Sequence, residues 1–204
     1  MASWHQRAQI EAHQIREIAQ PGDIIFRLST VSLLGGLLDF SKEVSIATRS
    51  DFSHAVLVLE ANPDGVLLVD VVESGISRRF LIDWYMDPSK NVVVKRLKPE
   101  YQYLVPKLLK EVRELIEQDC LYDDKFIRGD NKFYCTELVD HCFRKIGHPL
   151  AERVKIKDFP ESKIFLRIGC LLGGIKMNKG LAIAGNDEIG LFSSPMLEMV
   201  VDFR

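Results

Sequence analysis

Apolar positions change their period along the chain, and the changes divide it into elements. Residues 1–20 carry Ile10, Ile15 and Ile18 among Gln, Glu, Arg and His, the pattern of an amphipathic helix. Pro21-Gly22-Asp23 is a turn signal feeding the continuous apolar run 24–28, a first strand. Residues 29–50, centred on Leu33-Leu34-Gly35-Gly36-Leu37-Leu38, read as a loop or short helix over the core, or as a lip around an apolar substrate. Residues 54–60 and 66–73 are rich in Val and Leu and are separated by Asn62-Pro63-Asp64-Gly65. That turn chemistry predicts an antiparallel hairpin. Residues 84–90 connect it to a further strand over 91–97.

From 100 to 120 the period becomes helical, with Leu104, Leu108, Val112, Leu115 and Ile116 at three- and four-residue steps and Pro106 near the first turn. A second helix begins near Cys135. Leu138, Val139, Cys142, Phe143 and Ile146 form its buried stripe, and Gly147 with Pro149 ends it. Beyond 151 the pattern weakens to two apolar segments and a Gly-rich stretch, 169–190, before a last strand over 197–203. With 204 residues, 47% hydrophobic content and no internal repeat or low-complexity linker, the chain predicts one α+β domain. That domain would span 1–204, with 1–20 an N-terminal helix and 151–204 a C-terminal elaboration.

Charge narrows the partners. The net charge is −2 and the pI about 6.2, without a basic run, so neither nucleic acid nor an anionic membrane is expected. The longest apolar stretches, around 31–40 and 164–177, are broken by glycines or charges and are too short for an integral membrane segment. The N-terminus has no apolar signal region, so a cytoplasmic chain with reduced thiols is expected; an exported chain stripped of its leader would look the same. Cysteines at 120, 135, 142 and 170 are too sparse for a disulfide framework and include no C-x-x-C pair. Cys135, His141 and Cys142 lie within one helix and cannot easily converge on a tetrahedral ion. No metal and no cofactor are expected.

Candidate chemistry centres on Cys135. Extending the buried stripe of its helix backward by three and four steps lands on it, so its sulfur should face the sheet. It also lies in the first turn, where unpaired N–H groups and the helix dipole favour a thiolate. By position alone it is also an ordinary core cysteine. A thiolate needs an imidazolium, and of five histidines His54 stands out, because it opens the apolar run 55–59. Such a residue is either a satisfied core histidine or a functional one. If Ala61 lies opposite Val66, the same register sets Glu73 opposite His54, where it would orient the ring; a shift of one would set Val72 there.

Gly22-Asp23-Ile24-Ile25-Phe26, Phe52-Ser53-His54-Ala55-Val56, Val71-Val72-Glu73, Tyr122-Asp123 and Tyr134-Cys135-Thr136-Glu137-Leu138-Val139, in that order, resemble the YiiX-like permuted papain-fold amidases of the NlpC-type cysteine peptidase superfamily. The likeness covers roughly 20–147, with an echo at Lys157-Asp158-Phe159. It implies a circularly permuted papain-like fold, an antiparallel sheet packed on helices with the nucleophile at a helix N-terminus. It further implies a Cys135, His54, Glu73 triad, with Tyr134 and Tyr122 lining the cleft; both tyrosines also read as packing residues. The implied reaction is cleavage of a peptide, isopeptide or amino-acyl amide through an acyl-enzyme on Cys135. A lipid acyltransferase or phospholipase-like thiol enzyme and a non-catalytic binding module are the alternatives. Many relatives carry a secretion or lipoprotein signal that this sequence does not show, and the loop at Leu33 to Leu38 has no counterpart in them.

Overall fold

The structure, a computed structural model, describes residues 4–29, 45, 50–72, 74–85, 89–118, 120–123, 132–158 and 180–204. The N-terminal helix α1 runs Trp4–Ile18. Its buried face is Ala8, Ala12 and Ile15, while Ile10 is 57% exposed, so only one of the three isoleucines drives its docking. The small alanines let the helix lie close to the sheet, which is a packing requirement that apolar periodicity does not register.

Five strands follow: β1 (Ile24–Ser29), β2 (His54–Asn62), β3 (Gly65–Val72), β4 (Gly75–Phe80) and β5 (Ser89–Leu97). The predicted hairpin is β2–β3, with Ala61 opposite Val66 as counted, and Asn62 Oδ1 accepts the N–H groups of Asp64 and Gly65 to close the turn. The apolar pattern does not mark β4 or the short helix α2 (Leu81–Tyr85), because residues 75–80, Gly-Ile-Ser-Arg-Arg-Phe, hold only two large apolar side chains. β4 is an edge strand, where polar residues are tolerated.

After a 3₁₀ turn (Pro99–Leu104) comes α3 (Val105–Glu117), then β6 (Leu121–Tyr122) and β7 (Lys132–Phe133), a parallel pair, and α4 (Cys135–Lys145). β8 (Val154–Lys155) and β9 (Gly180–Leu181) pair antiparallel, and β10 (Leu197–Phe203) is the final strand. The main sheet is antiparallel, in the order β10-β5-β1-β2-β3-β4. The C-terminal strand thus pairs with β5 beside β1.

Both faces of the sheet are buried, which explains its near-continuous apolar runs. On one face Ile25, Val56, Val58, Leu68, Val92 and Val94 pack with α1 and α2. On the other, Ile24, Phe26, Ala55, Leu57, Val69 and Val93 pack with α3 and α4. The α4 stripe is as predicted: Leu138, Val139, Cys142 and Phe143 are buried. Among the described residues no helix is long and apolar enough to cross a membrane.

Two contacts tie the ends of the sheet. Asp23, fully buried behind the Gly22 turn, accepts two hydrogen bonds from Arg96 at 2.7 and 2.8 Å and one from the Gln20 N–H at 2.8 Å. At the other end Gly75, with φ 109°, lies under the Cys120 carbonyl, which accepts the Ile76 N–H at 3.0 Å. A Cβ at Gly75 would stand 2.3 Å from that backbone oxygen. Gly75→Ala is therefore expected to destabilise the protein by on the order of 3 kcal/mol, read as a lower urea midpoint at unchanged slope.

Candidate active site

Three β-strands and a helix start meet where β2 begins. His54 opens β2, with Arg27 of β1 as its cross-strand partner, and side chains of such a pair share a face. Asp70 of β3 lies on the same face by alternation. Cys135 arrives from the opposite layer as the first residue of α4, and its sulfur lies close enough to His54 and to the Ala55 N–H for both to favour its anion. The thiol and the imidazole, from opposite layers, thus meet over the end of the strand.

The acid that reaches His54 is Asp70. His54 Nε2 stands 2.9 Å from Asp70 Oδ1, leaving Nδ1 as the ring nitrogen for Cys135. With Asp70 buried and His54 nearly so, the contact acts as an ion pair. Asp70 is further fixed by the Val71 N–H on Oδ1 at 2.7 Å and by Trp84 Nε1–H on Oδ2 at 3.1 Å. Trp84, fully buried in α2, also stacks near the His54 ring, with centroids 6.3 Å apart and planes at 28°. The guanidinium of Arg27 lies 3.8 Å over the Trp84 ring, and its Nη1 donates to the Trp84 carbonyl at 2.8 Å.

These neighbours set the charges. Burial opposes protonation of His54, but Asp70 and Cys135 outweigh it and raise the pKa from 6.5 to about 10. Burial likewise opposes an anionic Asp70, and His54, Arg27 and the Val71 N–H together hold its carboxyl below the usual range. For Cys135, burial pushes the thiol up, and the coulombic and hydrogen-bonding pull of His54 brings it below its ordinary value. Cys142, seven residues along the same helix and without an imidazole, is driven up by burial to about 12. A lowered thiol, a raised imidazole, a lowered carboxyl and a guanidinium alternate in the sign each favours, so opposite charges face one another across the site.

The start of α4 adds donors. Tyr134, the N-cap, makes no side-chain cap, so first-turn N–H groups stay available beside the sulfur. A thiolate beside an imidazolium, with N–H donors at hand, has the parts for acyl transfer.

Cys135 and His54 are brought together as the sequence predicts. Glu73 lies outside the described residues, and its assignment rests on a register that β2 does not keep. The pairing shifts between Val58 and Glu60, so past Leu57↔Val69 the register carries Val72 to the level of His54. Asp70 then sits diagonally across, within reach of a long side chain. A lone acid inside Leu67-Leu68-Val69-Asp70-Val71-Val72 is the signal that could have found it. Trp84 and Arg27 leave no such mark.

Tyr134 is 7% exposed and its hydroxyl accepts the Ala182 N–H at 2.9 Å, so it clamps a neighbouring segment instead of presenting its hydroxyl to an open cleft. Tyr122 stands in β6 opposite Phe133; the cleft-lining expectation for its side chain falls outside what the structure describes, as does the loop at Leu33 to Leu38. His141 packs edge-on against Phe133, with centroids 5.0 Å apart, and burial lowers its pKa. Among the described residues no three His, Cys, Asp or Glu side chains gather to hold a metal ion.

An antiparallel sheet whose histidine strand precedes the cysteine helix, with an acid behind the histidine, is a papain-like arrangement in permuted order. The chain belongs to the family described as permuted papain-like amidase enzymes, YaeF/YiiX, C92 family, whose model matches residues 18–188. It is accordingly a cysteine-type amide hydrolase. Among solved structures it is similar to one described as metalloprotein YiiX from Escherichia coli O157:H7. That similarity has a TM-score of 0.63 at 22% identity, over 89% of this chain and 96% of the other. At this identity the likeness speaks to the fold alone. No curated protein matches the sequence.

Proposed function

We propose that Cys135 is the nucleophile, His54 the general acid and base, and Asp70 the group that orients His54, in hydrolysis of a peptide, isopeptide or amino-acyl amide. The observation that carries this reading is the Cys135–His54 contact, made by residues far apart in sequence, with the thiol lowered and the imidazole raised.

The Cys135 thiolate attacks the amide carbonyl carbon, forming a C–S bond and an oxyanion supported by the α4 first-turn N–H groups. As the oxyanion collapses, the C–N bond breaks and His54 delivers its proton to the departing amine. The neutral His54 then takes a proton from water, whose oxygen attacks the thioester. The carboxylic acid leaves, and the thiolate–imidazolium pair is restored. Asp70 holds the ring so that Nδ1 faces sulfur and favours the imidazolium.

Alkylation by iodoacetamide tests the assignment, because only the thiolate reacts. An ordinary thiol loses reactivity below about pH 8.5. Cys135 is expected to stay reactive well below that pH and to be labelled ahead of Cys120, Cys142 and Cys170 in peptide mapping. An unshifted titration, or preferential labelling of another cysteine at neutral pH, would sink the reading.

A further inference from the structure

The residues between β9 and β10 run beside both halves of the site. At Ala182 the backbone is held on both sides by the neighbours of Cys135 in sequence: its N–H donates to the Tyr134 hydroxyl at 2.9 Å, and its carbonyl accepts the Thr136 hydroxyl at 2.8 Å. Three residues on, Gly185 bridges Phe52, and its carbonyl accepts the Ser50 hydroxyl. Ser50 and Phe52 lead directly into His54, and Ser50 Oγ also accepts the Phe52 N–H at 3.0 Å.

One short stretch, Ala182 to Gly185, is therefore bonded at one end to the nucleophile helix and at the other to the histidine strand. Ala182, Ile183, Ala184, Thr136, Tyr134 and Ser50 are all buried, so water does not compete for these bonds. The stretch is itself rooted in the sheet. Leu191 and Phe192 fold back on it, donating to the carbonyls of Ile183 and Ala184 at 2.9 Å each. Lys95 of β5 donates to the Phe192 carbonyl, and the Phe192 ring packs on Phe26 and Phe52.

We propose that residues 182–185 form a tie that sets the separation of Cys135 and His54, with the hydroxyls of Tyr134, Thr136 and Ser50 as positioning groups. The proposal rests on the catalytic reading above, since the tie matters only if the Cys135–His54 pair does. Physically, α4 and β2 belong to different layers of the fold and are joined by no backbone ladder. Their apolar packing through Ala55, Leu57, Leu138 and Val139 is non-directional, so hydrogen bonds to a third element sharpen their separation, and small misplacements at reacting groups are costly.

The test is the pH dependence of iodoacetamide alkylation at Cys135 in four variants, with thermal melts run in parallel. Thr136→Val keeps the volume and removes the hydroxyl, Thr136→Ser restores it, Tyr134→Phe frees the Ala182 N–H, and Ser50→Ala acts from the far end. Thr136→Val and Tyr134→Phe are each expected to move the alkylation midpoint upward by about one unit, which is about a tenfold slower reaction at any pH below the wild-type midpoint. Ser50→Ala should act in the same direction, by about threefold, and Thr136→Ser should react within about twofold of the wild type.

Cooperative melts with unchanged alkylation midpoints in Thr136→Val, Tyr134→Phe and Ser50→Ala overturn the tie while leaving the catalytic reading intact. A shift in Thr136→Ser as large as that in Thr136→Val also overturns it, since side-chain volume and not the bond would then be responsible. An ordinary thiol titration in the wild type removes both. If one variant melts without cooperativity, the remaining substitutions decide between the same outcomes.

Discussion

Cys135→Ala should reduce amide hydrolysis to background, a loss of about 10⁴-fold or more, with the fold retained. The side chain is only partly buried and contributes little to the core, so the thermal midpoint should move little. Cys135→Ser is the more informative variant. A serine hydroxyl needs a base to take its proton during attack, and Asp70, one of the two groups that raise His54, still favours its protonated form when the thiolate is gone. No free base then stands beside the hydroxyl, and Cys135→Ser should be nearly as inactive as Cys135→Ala. A panel of aminoacyl p-nitroanilides, followed by absorbance, measures both. Appreciable turnover by Cys135→Ser would mean that Asp70 alone does not keep His54 protonated.

Asp70→Asn should lower activity by roughly 10²-fold or more and destabilise the protein by about 1–3 kcal/mol. The carboxylate accepts from the Val71 N–H and Trp84 Nε1–H and faces His54 Nε2. An amide has one acceptor oxygen, so at least one of those donors would meet an NH₂ group. The pH dependence follows from the direction of each shift. His54 is raised in the fold, so its contribution is complete below its ordinary 6.5 and is lost as pH rises toward about 10. Asp70 is lowered, so its contribution is present above its ordinary 3.8 and is lost as pH falls through the folded value. The gap between wild-type and Asp70→Asn thermal midpoints should thus be widest between about pH 4 and 6.5 and narrow toward pH 10. A gap independent of pH across that range would show that Asp70 is not paired with a protonated His54.

Legibility follows sequence separation. The α4 stripe, the position of Cys135 at its start, the Asn62 to Gly65 turn and the last strand depend on neighbours within a few residues, and local periodicity and turn chemistry reveal them. The pairing of His54 with its acid depends on the register of a whole hairpin. One irregularity between Val58 and Glu60 moves the residue opposite His54 from Glu73 to Val72 and leaves Asp70 diagonally across, which a count from the turn does not show. Trp84 lies in a five-residue helix too short to show a period, and it acts through its ring, its indole N–H and its carbonyl together.

The stretch around Ala182 is the extreme case. Gly-Leu-Ala-Ile-Ala-Gly, residues 180–185, has no period, charge or motif that points to a cysteine far earlier in the chain. What the amino-acid sequence determined by itself was a cysteine at a helix N-terminus and a histidine at the head of a core strand, because helix starts and apolar alternation are local properties. The tertiary structure alone decided which carboxylate stands beside that histidine and which segment bonds to both the cysteine helix and the histidine strand, because both depend on hydrogen bonds and register that only folding brings into contact.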